Sequence, residues 1–288
     1  MTGPSDVLPV RAPSDSPVGR GWGSTSLSAL AGLTALFLGL PVAVLVARAV
    51  VDGSLSRALT AQVVLAALAL SLTTTAISLV ITVAFGLPLA YVLARRRFRG
   101  SGLAEAVVDL PLVLPPAVAG LALLLFVGRR GLLGGPLDAV GIAIPFTTLA
   151  VILAQTFVSA PFFIRSARTG IASVERDLED AARVDGASEI EVFRHITVPI
   201  AGSALASGLV MSWARSLGEF GATIMFAGNV EGRTQTLPLV VYGEFQGGDL
   251  DASIAAAAIL VLAAFGVLVA VRVMHWGRAL DLRNVGTR

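Results

Sequence analysis

The chain has 288 residues and a formal net charge of +2; 55% of it is hydrophobic, only 14% is charged, and its mean hydropathy is +0.83. An ordinary soluble domain carries about 25% charged residues, so this composition excludes a water-soluble fold. All 21 basic residues are arginine and cysteine is absent, which removes disulfides, thiolate metal sites, cysteine nucleophiles and the lysine of a phosphate-cradling P-loop.

In chain order, residues 1–25 are rich in Pro, Ser and Gly and read as a disordered tail. Six uncharged runs follow, at 21–47, 58–94, 110–128, 139–164, 195–214 and 252–271. A bilayer core about 30 Å thick needs roughly 20 apolar residues per helix, so each run holds one span. The first run has features of a secretory signal, because Arg11 and Arg20 precede it and Ala47-Arg48-Ala49 mimics a cleavage site. Its length exceeds the roughly 7–15 residues of a signal core and favours an uncleaved anchor, which with its external loop occupies 26–57. The second run reads as one long or tilted helix with a bend near Gly86 and Pro88. In the third, Pro111, Pro115 and Pro116 remove amide donors from a span; the outcome is either an interruption that shapes a constriction or a kink with packing consequences only.

Placing the N-terminus in the cytoplasm puts 15 of the 21 arginines on that side, among them Arg95, Arg96, Arg97 and Arg99, and five outside. Arg215 remains within or at the edge of a span. Positive charge stays on the cytoplasmic face, so both termini lie inside and six is the consistent number of helices. The longest polar stretch on that face runs from Arg165 to Thr197 and is the first place to seek function.

Within it, Ser173 is expected to cap a helix with Glu175 and Asp177 in its first turn, ending near Gly186. Ser188-Glu189-Ile190-Glu191 reads as a capping box that starts a second helix carrying Ile190, Phe193 and Ile196. Val174, Leu178, Ala181 and Ala182 form a narrow stripe of small and apolar residues opposed by Glu175, Glu179 and Arg183. Such a stripe suits either a closely docked partner or packing on the chain's own membrane domain.

Asp180-Ala181-Ala182, followed by Gly186 and then by Ile196 and Pro199, resembles the EAA motif of ABC importer permeases, with Asp180 in the place of glutamate and Val198 in that of leucine. The resemblance covers roughly residues 60–275. In that family the hook is the coupling helix seated on the ATPase subunit, which implies ATPase-coupling roles for Glu179, Asp180, Ala181, Ala182, Gly186, Ala187, Phe193, Ile196 and Pro199. The stretch from Arg215 to Asn229, continuing through Thr234 to Pro238, is similar to the molybdate branch of these permeases, with sulfate and tungstate permeases as near relatives. The third span around Asp109–Pro116 is similar to the same oxyanion group.

Pro111, Pro115, Pro116, Arg215, Gly218, Glu219, Gly221 and Thr223 are accordingly the candidates for the translocation path or gate. Arg215 and Glu219 stand four apart on one helical face and neutralise each other, either as a structural pair or as part of a gate. Gly218 and Gly221 serve either as hinges or as ordinary close-packing positions. His195 and His275 lack cysteine partners, so no metal site is expected. No Ser-His-Asp or paired-carboxylate constellation supports a membrane-embedded enzyme.

The resemblance implies an all-α integral membrane fold with six transmembrane helices, of the type-1 ABC importer permease architecture. It implies a homodimer in the bacterial cytoplasmic membrane, fed by an external substrate-binding protein and driven by an ABC ATPase dimer that holds the ATP and magnesium. The expected divisions are a tail at 1–25, the first helix and loop at 26–57, the transmembrane domain at 58–275 with its hook at 173–197, and a C-terminal tail at 276–288. The expected partners are a second copy, the ATPase, the binding protein, molybdate or a related oxyanion, and membrane lipid, without nucleic acid. The rivals are a sulfate or tungstate importer of the same class and a stand-alone secondary anion transporter.

Overall fold

The computed structural model describes residues 23–96 and 98–285, with side chains over 26–96 and 98–269. Most of the expected tail at 1–25, together with Arg97, the His275 side chain and residues 286–288, lies outside the described residues. Those described are helical, with no β-strand among them. This follows from the composition, since a helix satisfies its own backbone groups where a bilayer offers no hydrogen-bond partner.

The helices are α1 (Gly23–Val51), the short α2 (Ser54–Ala58), α3 (Gln62–Arg95), α4 (Ser101–Val113), α5 (Pro116–Val127), the short α6 (Gly134–Ala139) and α7 (Thr148–Ala172). They continue as α8 (Arg176–Val184), α9 (Glu189–Val192), a π-helical turn at Phe193–Thr197, α10 (Val198–Ile200), α11 (Gly202–Leu217), α12 (Gly221–Phe226), α13 (Leu237–Gly247) and α14 (Leu250–Val285). Among the described residues, those up to Val44 and those from Leu45 onward form two units. In the first, Leu27, Leu33, Phe37 and Leu38 are all exposed, as suits a lipid-facing span.

Four helices are long and apolar enough to cross a membrane: α1, α3, α7 and the 250–269 part of α14. Two broken pairs raise the number to six if each is one span. The first is α4 with α5, bent by 119°. Residues before proline are pushed out of the helical region, and here Leu114 (ψ 132°) and Pro115 (ψ 136°) are both extended. Consecutive prolines therefore turn the chain, and Pro116 opens α5 at a position where no amide donor is needed. The third uncharged run is thus interrupted, and the interruption is a sharp reversal rather than a kink.

The second pair joins residues 189–200 to α11 with a 74° bend. Pro199 lacks an N–H and its ring presses on the carbonyl four residues back, and the helix relieves this by widening into the π turn over Phe193–Thr197. The expected bend at Gly86 and Pro88 does not interrupt α3, which runs unbroken from Gln62 to Arg95.

In the second unit, α7 packs on both α3 and α11. Without a hydrophobic force between helices in lipid, close approach depends on small residues. A Cβ on Gly86 would lie 2.9 Å from Ile164 on α7, and one on Gly208 would lie 2.8 Å from Ser166, so α3 and α11 both nest against α7 where no side chain intervenes. A polar seam on α3 turns toward α7: Thr156 donates to Ser78 at 3.0 Å and the Gln155 amide donates to Thr75 at 3.4 Å. The Ser71 hydroxyl accepts from the Leu237 amide at 2.8 Å, satisfying the start of α13.

Helix α7 also runs well past the uncharged run that predicted it, carrying Arg165 and Arg168 inside its last turns. Both cations find carboxylates on α4, Asp109 at 3.6 Å and Glu105 at 2.8 Å. The polar segment therefore begins near Ser173 rather than at Arg165. At the other terminus, α14 continues to Val285, so most of the expected C-terminal tail has helical backbone.

Candidate functional site

The hook is built from α8, a tight reversal and α9. Helix α8 ends at Val184 and the chain reverses at Gly186, whose φ of +93° is a left-handed value that strains any residue with a Cβ. The Ala187 amide donates to the Ala182 carbonyl at 2.9 Å and the Gly186 amide to Arg183 at 3.1 Å, which is the Schellman closure of a helix end. The spacing of Ala182, Gly186 and Ala187 is thus the spacing of that closure.

Beyond the reversal, the Ser188 hydroxyl accepts from the Glu191 amide while the Glu191 carboxylate accepts from the Ser188 amide at 2.8 Å, so the expected capping box is present. Arg183 clasps the two arms: its guanidinium donates twice to Glu189, at 2.7 and 3.1 Å, and once to Asp180 at 2.6 Å. The hydrogen bonds from Arg183 to Glu189, followed by those to Asp180, raise the guanidinium above its ordinary range, so it stays charged throughout. Ala182, Gly186, Ala187 and Ile196 line one shallow hollow of about 420 Å³.

One expectation fails. Ser173 does not cap α8; it ends α7, donating back to the Gly170 carbonyl at 2.8 Å, and Glu175 stands at the N-cap position without a side-chain bond. The stripe of small and apolar residues is divided, with Val174 buried and Ala182 half-buried. Leu178 is 47% exposed and Ala181 is exposed, whereas Glu179, read as part of the opposing polar face, is 2% exposed.

The reason is a partner distant in sequence. Arg95, at the end of α3, donates to Glu179 at 2.7 Å and to the Val174 carbonyl at 3.1 Å. The Thr197 hydroxyl donates to the same carboxylate oxygen of Glu179 at 2.7 Å. The Arg95 and Glu179 side chains are 9% and 3% exposed, so the hook is fastened to α3 and to the π turn by a buried charge pair. Phe193 adds an edge-on ring contact with Tyr91 of α3, centroids 5.2 Å apart. Sequence reasoning missed Arg95 and Thr197 in this role, and also Val184, which stands 87% exposed beside the reversal. Asp180 and Pro199 are exposed as well.

The second group of candidates meets where α5 packs on α12. Glu219 is 1% exposed; it pairs with Arg215, and its other oxygen accepts from the Ala222 amide at 2.7 Å, supplying the cap that α12 needs. Arg215 is the more accessible partner at 27%. Gly221 lies against the proline turn, since a Cβ there would be 2.8 Å from Pro116. Gly120 of α5, absent from the candidates, is tighter still, with the Ala222 carbonyl oxygen 2.5 Å from its would-be Cβ. Thr223 is fully buried, and Gly218 closes α11. The structure therefore unites Pro116, Arg215, Glu219, Gly221 and Thr223 at one junction, with Pro115 exposed at the bend and Pro111 buried within α4.

His195 bonds the Glu191 carbonyl at 3.1 Å. Among the described residues no three His, Cys, Asp or Glu side chains gather where one metal ion could be held.

Residues 86–279 match the family described as binding-protein-dependent transport system inner membrane component. A molybdenum transport system permease protein of Mycobacterium tuberculosis is 45% identical over 205 residues, covering 71% of this chain and 77% of its own. A probable transport system permease protein of Clostridium pasteurianum is 43% identical over 204 residues, covering 70% of this chain and 71% of its own. Among solved structures, a bacterial ABC transporter involved in import of the acidic polysaccharide alginate shares the fold with a TM-score of 0.70, at 18% identity over 88% of this chain and 94% of that one.

Proposed function

Since the chain belongs to the family of binding-protein-dependent transport system inner membrane components, we infer that it is the membrane-spanning subunit of an ATP-driven importer that moves molybdate across the cytoplasmic membrane by alternating access. The permease carries no nucleotide site in this reading. ATP and magnesium sit on a separate ATPase dimer, an external binding protein delivers the anion, and a second copy of the chain completes the path. Both termini and the hook face the cytoplasm, where the arginines concentrate. The divisions at 26–57, 58–275 and 276–288 keep their assigned roles, and 1–25 remains a tail.

The observation that carries the coupling role is the construction of the hook. It is closed by Gly186, clasped by Arg183 and anchored through Glu179 to Arg95 of α3 and Thr197 of the π turn, so a push on its tip moves α3 and that turn together. Asp180, Ala181, Ala182, Gly186 and Ala187 form the tip offered to the ATPase, with exposed Val184 beside them as an apolar knob. Phe193, Ile196 and Pro199 transmit the motion into the bent fifth span. The junction of Pro111, Pro115 and Pro116 with Arg215, Gly218, Glu219, Gly221 and Thr223 is the gate region; its carboxylate is neutralised by Arg215 and an anion meets no net negative charge there.

The choice of molybdate among oxyanions rests on the relatives' names and on the 215–238 stretch. A coupled mechanism suits a dianion. An inside-negative potential opposes inward movement by about 2.3 kcal/mol per charge per 100 mV, or roughly 4.6 kcal/mol for two charges.

The test is labelled molybdate uptake into vesicles holding the chain with its ATPase and binding protein. Uptake that needs ATP and both partners and withstands excess sulfate is expected. Uphill uptake without the ATPase refutes the coupling, and equal competition by sulfate assigns the sulfate branch.

A further inference from the structure

A cavity of about 730 Å³ opens between the last turns of α3 and the inner side of the hook. Its composition is divided. One wall is apolar and consists of Val83, Ala84, Leu87 and Tyr91 of α3 together with Phe193. These α3 residues belong to the second half of a helix long and apolar enough to span a bilayer. The mouth is charged, with Arg95, Arg96, Arg176 and Arg183 set among Glu179, Asp180 and Glu189.

The carboxylates are engaged by two of these arginines. Glu179 is bound by Arg95, and Asp180 and Glu189 by Arg183. Among the described residues, no carboxylate stands within ion-pair distance of Arg96 or Arg176, although Glu189 lies near enough to Arg96 to feel its charge. Both arginines line the cavity, and Arg176 donates to the Arg95 carbonyl at 3.3 Å, in the peptide unit that leads into Arg96. Arg95 itself, 91% buried by side chain, keeps a buried Nε–H with no acceptor. Two cations thus line a space whose remaining wall is apolar. Water alone would satisfy the cations and leave the apolar wall wet, and a soluble anion would do the same. An amphiphile with an anionic head covers both.

We propose that this cavity seats an anionic phospholipid, its phosphate on Arg96 and Arg176, and one acyl chain along Val83, Leu87, Tyr91 and Phe193. Basic pockets between membrane helices at the headgroup level are suited to such lipids, and each arginine near the membrane surface strengthens the attraction about fivefold. The lipid fills the gap between the hook and α3 and so stiffens the attachment that the Arg95–Glu179 pair begins. The inference is independent of the transported anion, and its test involves no transport.

The full-length chain is purified, stripped of lipid and titrated with phosphatidylglycerol or phosphatidylcholine of identical acyl chains, and retained lipid is read by native mass spectrometry. One phosphatidylglycerol held in preference to phosphatidylcholine is expected. Preference should fall about 25-fold in R96Q/R176Q, whose exposed side chains leave the fold intact. Ala84→Trp, which fills the apolar wall, should lose the bound lipid while both arginines remain. Equal retention of the two lipids, or an unchanged preference in R96Q/R176Q, overturns the proposal. Displacement by millimolar inorganic phosphate overturns it in favour of a soluble anion. The chain has no cysteine, so Val83→Cys gives a single thiol; a disulfide between two copies through it would assign the wall to a second subunit and refute the lipid.

Discussion

Replacing Glu179 by glutamine keeps the side chain's volume and one acceptor for Thr197 but removes the charge that Arg95 faces at 2.7 Å. With the Arg95 side chain only 9% exposed, its guanidinium then lies buried beside the Val174 carbonyl without a counter-ion. Breaking a buried pair from one side costs about 3–5 kcal/mol, chiefly through the charge left behind. For a protein of this size each kcal/mol lowers Tm by about 2–4 °C, so Glu179→Gln should melt roughly 6–20 °C lower in detergent. Removing both charges with Arg95→Met and Glu179→Leu should recover most of that loss, because no charge is stranded. Thermal unfolding of Arg95→Met, Glu179→Leu and the double variant measures the coupling. A Glu179→Gln protein that melts within about 1 °C of the wild type, or a double variant whose loss equals the sum of the singles, would refute the reasoning. If the pair also transmits motion, the double variant should fold well yet consume ATP with reduced uptake.

Gly120→Ala drives a Cβ to 2.5 Å from the Ala222 carbonyl, and overpacking of this kind costs about 1–3 kcal/mol; Gly135→Ala, with open space around it, should leave Tm unchanged. Gly186→Val meets no neighbour but must adopt φ +93°, a strain of about 1–3 kcal/mol that should unravel the reversal, so uptake and ATPase pull-down should fail while membrane insertion persists. Arg215→Ala strands the Glu219 charge and should impair the permease. Arg215→Ala with Glu219→Gln retains an acceptor for the Ala222 amide, and recovered uptake would mark the pair as structural, whereas a stable but inactive protein would mark it as part of the gate.

Several features of the hook were legible from neighbouring residues alone. Ser188 and Glu191 stand three apart and satisfy each other's backbone, and the helix before them stops next to Gly186, so the capping box and the helix end appear as expected. Ser173 was misread for the same local reason. A serine ahead of acidic residues suits an N-cap, but α7 extends far enough for its hydroxyl to serve that helix's last turn instead. The burial of Glu179 was not legible because periodicity ranks residues by polarity. Glu179 is polar, yet it is the residue turned inward, because Arg95 lies 84 positions earlier and no window along the chain contains both. Gly120 escaped notice because a glycine in an apolar run carries no mark of the carbonyl that will press on it.

Membrane residence, helical class and the position of the hook follow from the sequence by itself, because hydrocarbon thickness and the backbone's need for hydrogen bonds act on local composition. The prolines likewise announced that the third span would be disturbed. Only the tertiary structure decided that the chain there reverses by 119°, that Glu219 serves at once as counter-ion and helix cap, and that the hook is locked to α3. Burial and pairing are set by whichever groups the packed helices bring together, and those groups come from distant parts of the chain.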